Sequence, residues 1–198
     1  MANICDTKYV VEGNLQELQD LYAKMKALEN GKAPLADAES ERSWLGNLIN
    51  LLGGDYNDYE CRGSFYDVEL NAENGILTYS VQSKWVELEQ VRDFLEEHYS
   101  SLTFYFRAEE GGCAIYETND LKSKYFERHK LSFNNIDFER IELYFFTLQE
   151  LFDKVGELMD TKVDSLEEMQ RLFDEYNGDS EAELCYNHFE KPTPNLFF

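Results

Sequence analysis

The chain has 198 residues, 43% of them hydrophobic and 15% aromatic, enough apolar material for one full domain or two small ones and too much for an acidic disordered polymer. Forty Asp and Glu against eighteen Lys and Arg leave a formal charge of −22. Such a field repels phosphate and anionic lipid, which argues against direct nucleic-acid binding and against attachment to a membrane surface.

Cys5, Cys61, Cys113 and Cys185 are scattered, with no C-x-x-C and no Cys/His cluster, so reduced thiols are expected in place of a disulfide framework or zinc site. No apolar run reaches the roughly 18 residues of a membrane span. Residues 1–14 lack the basic-then-apolar order of a secretory leader. A cytoplasmic location is the expectation.

In chain order, residues 3–12 read as a strand closed by Gly13. Asn14 then caps a helix in which Leu15, Leu18, Leu21, Tyr22, Met25 and Leu28 recur at spacings of three and four, stopped by Asn30-Gly31. Ser40 is the expected cap of a second helix carrying Trp44, Leu45, Leu48, Ile49, Leu51 and Leu52, ended by Gly53-Gly54. RGSFYDVEL and ILTYSVQSKW form a hairpin turned at Asn74-Gly75. Period-two alternation places Leu77, Tyr79, Val81 and Trp85 on its buried face. A helix over 86–99 presents Leu88, Val91, Leu95 and Tyr99. The strand LTFYFRA and a short strand around CAIYE follow, joined by a turn through Glu109, Glu110, Gly111 and Gly112 in which the glycines take positive φ.

This order predicts an α+β fold. Residues 1–120 form a ferredoxin-like sandwich, an antiparallel sheet with helices on one face, and another small α+β topology is the alternative. Residues 121–190 add a β-β-α-α-β part: strands at 124–132 and 140–146, amphipathic helices near 148–160 and 165–176, and a strand at 182–189. The echo between NLQELQDLYAKM and TLQELFDKVGELM leaves open a degenerate second half packed on the same core. Residues 191–198 are expected to dock, burying Phe197 and Phe198.

The opening Asn3, Cys5, Val10 and Gly13, the Trp85 that ends a hairpin strand, the run Tyr99, Leu102, Thr103 and Phe104, and the acidic turn Glu109, Glu110 and Gly112 resemble a family of uncharacterised ferredoxin-like proteins carried by phages and conjugative elements. The resemblance covers roughly residues 1–130 and implies a fold and a mobile-element setting, with no established activity. Family members often follow the Trp with Ser or Cys and then Pro, where this chain has Val86-Glu87.

No phosphate loop, H-E-x-x-H or G-x-S-x-G is present. Asp55–Glu60 has its Gly and closing Glu in the wrong places for a calcium loop. His98, His129 and His188 have no partner at ligand spacing along the chain, and Cys185 and His188, three apart on a strand, face opposite ways. No catalytic residue, metal or cofactor is assigned.

Charge placement says more. LKSKYFERHKL at 121–131 holds five basic side chains, counting His129, against one acid, whereas residues 150–190 hold thirteen acids against three basics, Lys154, Lys162 and Arg171. The expected function is a non-catalytic interaction module of a mobile element, monomeric or weakly dimeric, meeting an unknown protein partner, for which a basic surface suits the charge. The candidate contact residues are Trp85, Glu109, Glu110, Glu167, Glu168, Asp174 and Glu175. The rivals are an acidic DNA mimic that inhibits a nuclease or restriction system, and an enzyme or ligand binder whose site is assembled only on folding. For the tip pair Glu109-Glu110 a solvated turn is the ordinary alternative.

Overall fold

The computed structural model describes residues 4–134, 139–179 and 184–192; Asn3, Phe197 and Phe198 lie outside them. The described residues form a mixed α+β structure with antiparallel sheets and five α-helices. The chain divides between Asn119 and Asp120 into two compact units, and most of its buried apolar residues fall into two clusters, one in each unit.

Unit one runs β1 (Ile4–Glu12), α1 (Leu15–Glu29), α2 (Leu45–Leu51), β2 (Gly63–Asn71), β3 (Ile76–Lys84), α3 (Glu89–His98), β4 (Thr103–Glu110) and β5 (Ile115–Thr118). The sheet order is β2-β3-β1-β4-β5 with every neighbouring pair antiparallel. Strand β3 therefore lies between β1 and β2, and β1 lies between β3 and β4. One face is apolar because alternate residues point the same way: Cys5, Thr7, Tyr9 and Val11 of β1 are buried, as are Leu77, Tyr79, Val81 and Ser83 of β3 and Phe104, Phe106 and Ala108 of β4. Leu18, Leu21, Met25 and Leu28 of α1, Leu45, Leu48 and Ile49 of α2, and Val91 and Leu95 of α3 join the same core cluster.

Helix α1 starts where Asn14 Oδ1 accepts from the amides of Gln16 (2.8 Å) and Glu17 (3.4 Å), satisfying donors that have no helical partner. Helix α2 begins later than its expected cap. Ser40 Oγ donates to Asp37 O, while the buried amide of Asn47 accepts from Ala36 N and donates to Glu41 O, both at 2.8 Å. A polar side chain inside the helix thus organises the loop before it. Strand β2 bulges between Tyr66 and Glu69, with Asp67 at φ 52°, which breaks its outer edge against further pairing.

Unit two runs β6 (His129–Asn134), β7 (Arg140–Phe145), α4 (Leu148–Met159), α5 (Leu166–Asp179) and β8 (Leu184–His188), with sheet order β7-β6-β8, antiparallel. Its core joins Leu131, Leu151, Phe152, Val155, Val163, Met169, Phe173 and Leu184. Strand β6 starts five residues later than the alternation around 124 suggests. The cause is Asp120, a buried carboxylate that accepts from the amides of Lys124 (2.9 Å), Tyr125 (2.7 Å) and Phe126 (3.0 Å) and winds that stretch into a turn.

The four cysteines are free thiols, Cys5 and Cys61 buried, Cys113 exposed. Among the described residues no helix is long and apolar enough to cross a membrane.

Two substitutions check this packing. Gly13 sits at φ 144°, and a Cβ there would lie 2.2 Å from Ser101 O. Gly13→Ala should destabilise unit one by about 2–4 kcal/mol in denaturant unfolding. Ser132 Oγ in β6 is buried with no hydrogen-bond partner, so Ser132→Ala should be neutral or stabilise unit two by up to about 1 kcal/mol.

Candidate functional site

The connection from β3 to α3 carries unusual chemistry. The alternation that buries Leu77, Tyr79 and Val81 continues to Ser83, not to Trp85. Strand β3 ends at Lys84, and Trp85 takes φ 81° with 53% of its surface exposed. A non-glycine residue in the left-handed region costs on the order of 1–2 kcal/mol, and this one then leaves a large apolar ring in water. The loop is tied on both sides. Ser83 Oγ donates to Val86 O at 2.6 Å, and two residues beyond Trp85 the chain turns inward at Glu87. Ile4, also exposed, pairs with Lys84 at the same end of the sheet.

Glu87 is 6% exposed. Its Oε1 accepts from Tyr9 Oη at 2.7 Å and Arg92 Nε at 3.2 Å. Tyr9 stacks on Tyr79 with ring centroids 4.7 Å apart, and the Arg92 guanidinium lies 5.5 Å from the centroid of the Phe106 ring. Arg92 also faces Asp93 (3.0 Å), Glu96 (3.6 Å) and Glu89 (3.7 Å). Burial pushes the Glu87 carboxyl up to about 7, against the pull of Arg92 and Tyr9. Burial and the neighbouring Glu87 hold the Tyr9 phenol well above its usual range. The group therefore orders β1, α3 and β4 around one carboxylate. Its Oε1 already takes two donors, so as it stands it is a support for the Trp85 loop.

Unit two assembles a second cluster from residues with no local relation. His129 and His188 are directly opposite across β6 and β8. Their Nδ1 atoms lie 3.2 Å apart, Tyr186 Oη is 2.9 Å from His129 Nδ1, and Arg128 Nη2 is 3.0 Å from His188 Nε2. Arg128 also donates to Phe189 O from Nε and Nη2. Burial, then His188 and Arg128, lower His129 to about 4; burial and Arg128 lower His188. The sequence missed this pair because its members share no motif and meet only through strand register. Among the described residues no group of three or more His, Cys, Asp or Glu side chains is placed to hold a metal ion. Asp55 caps the amide of Asn57 at 3.0 Å.

The acidic candidates lie in different settings. Glu110 is buried, and its carboxylate accepts from the amides of Gly112 and Cys113. It builds the turn from inside, with Ala114 at φ 56° where the glycines were expected to take positive φ. Glu109 is a half-buried β4 residue paired with Asp6 and Tyr116. Glu168 Oε2 accepts from Asp164 N at 3.1 Å while its own amide donates to Ser165 Oγ, so it caps α5. Asp174 accepts from Gln170 (2.9 Å), Glu175 pairs with Arg171 (2.7 Å), and Glu167 is exposed. Lys154 and Lys162 are likewise paired, with Glu157 and Asp164.

The buried ion pair should show itself in pH-dependent unfolding. Glu87 has a higher pKa folded (about 7) than unfolded (4.5). Its contribution to stability is therefore fully present below pH 4.5 and is lost as pH rises through 7. Glu87→Gln should flatten unit-one stability across that window. Arg92→Met should cost about 3–5 kcal/mol at pH 8, where the carboxylate is stranded with its charge, and less at pH 5.

No protein-family model, curated protein or solved structure matches this chain.

Proposed function

We propose that the chain is a non-catalytic protein-interaction module that presents Trp85 as its anchor. The observation that carries this reading is the strained, exposed Trp85 held between the Ser83 tie and the buried Glu87. Binding interfaces concentrate their energy in aromatic anchors of this kind, and backbone strain collects at functional positions. The ferredoxin-like sandwich is the fold we assign to unit one, supported by the order β2-β3-β1-β4 with β5 added at one edge. Membership of the mobile-element family and a cytoplasmic location belong to the same proposal. The first is supported by the motif around Trp85 and Tyr99–Phe104, the second by free thiols.

The DNA-mimic reading is less well supported. A mimic needs uninterrupted rows of carboxylates, yet Lys154, Lys162 and Arg171 each neutralise an acid among them, and Glu150 and Glu168 are used in helix caps. The enzyme reading has its nearest candidate in His129 and His188, whose inward nitrogens are already engaged.

Trp85→Gly separates an anchor from a structural residue. Glycine relieves the positive φ, so its thermal midpoint should equal or exceed that of the wild type. Affinity capture from source-cell lysate at low and moderate salt should nevertheless lose the partner retained by the wild type. Capture that survives Trp85→Gly and disappears when Glu167, Asp174 and Glu175 are changed to Lys would replace this reading with the acidic-surface one.

A further inference from the structure

Strand β8 has five residues and, among the described residues, pairs in its sheet with β6 alone, opposite the side on which β6 pairs with β7. It is held at both ends. At its start the Asn177 amide brackets Leu184, donating to Leu184 O (2.9 Å) and accepting from Leu184 N (2.8 Å). At its finish His188 meets His129, Phe189 N donates to Arg128 O (2.9 Å), and the fully buried Phe189 receives the Arg128 side chain at its carbonyl.

The first clamp has no titratable group; the second is made of them. A guanidinium can only donate. Arg128 Nη2, 3.0 Å from His188 Nε2, therefore places the His188 proton on Nδ1. That N–H points at His129 Nδ1, 3.2 Å away, which must accept, so the His129 proton is on Nε2. Both rings are neutral, and each unprotonated nitrogen is faced by a donor. A proton added to His188 Nε2 would oppose Arg128. One added to His129 Nδ1 would oppose the His188 N–H, and could turn to Tyr186 Oη only by giving up that bond.

We propose that the His129–His188 pair is an acid-sensitive latch: neutral, it closes the end of β8 onto β6, and protonation releases that end. The charged neighbours agree with this direction. Arg128, just before β6, opposes protonation of both rings, and Lys130 of β6 is committed to Glu142 of β7 at 3.0 Å. Glu150 of α4 favours a charged His129 and Glu190, just past β8, a charged His188, but both rings remain depressed. Released histidines regain their ordinary affinity for protons near pH 6.5. The latch is thus fully closed above that value and loosens as pH falls toward 4. Opening would bare the outer edge of β6, a row of backbone donors and acceptors able to pair with another strand.

Amide hydrogen exchange on the full chain from pH 7.5 to 4.5, corrected for intrinsic rates, tests this. Protection in Leu184–His188 should fall relative to Arg140–Phe145 by about tenfold per pH unit below 6.5 for each proton taken up. His188→Phe, which keeps a ring but cannot be charged, should abolish that difference. Nitrogen NMR of the rings gives a readout on the wild type should the variant fail to fold: it should find neutral His188 protonated on Nδ1 and neutral His129 on Nε2. Equal protection of β8 and β7 at every pH, an unchanged pH dependence in His188→Phe, or a ring titrating at or above 6.5 with β8 still protected would overturn the latch.

Discussion

The carboxylate of Glu87 sits where the sheet of unit one changes direction into its second crossover helix, and three elements are arranged to receive it. Tyr9 reaches it from the central strand, Arg92 from the first turns of α3, and Phe106 of β4 lies beneath the guanidinium. A buried ionisable group of this kind is weak evidence for added stability, because desolvation offsets most of the attraction. What it does enforce is position. A carboxylate that must keep both donors cannot slide by a residue, so the start of α3 is locked to the sheet. Trp85, two residues earlier, is left in a conformation it would not choose alone.

Unit two meets the problem of buried polarity differently. Its edge strand is closed by two devices, an amide bracket at Asn177 and a histidine pair kept uncharged by burial and by a neighbouring arginine. The two units thus respond to acid in opposite senses. Protonation suits the buried Glu87, whereas it costs the buried histidines their hydrogen bonds. Between about pH 4 and 7 the shifts of Glu87 and His129 work against each other.

The large negative charge has a more ordinary part than its size suggests. Along α4 and α5 carboxylates cap helix starts, as Glu150 and Glu168 do, or pair with the few cations present. Exposed pairs of this type contribute little each. The acids left over from these pairs carry the net charge of −22, and a field of that sign repels anions.

Local pattern made most elements readable from the residues. The three-four spacing of Leu18, Leu21, Met25 and Leu28 behind Asn14 specifies α1, and the period-two run from Leu77 specifies β3, because these signals act between residues within one turn or one pleat. The same logic failed where one buried polar side chain outweighs the alternation around it. Trp85 continues the buried alternation on paper, yet Ser83 ends it and the inward turn at Glu87 expels the ring. Residues 124–128 alternate like a strand, yet the Asp120 carboxylate collects their amides into a turn. The helix periods, the Asn14 cap and the chain order were written in the sequence because each is settled within a few residues. The Tyr9–Glu87 bond spans 78 residues and the His129–His188 contact 59. Both depend on strand register, which exists only once the sheets have formed.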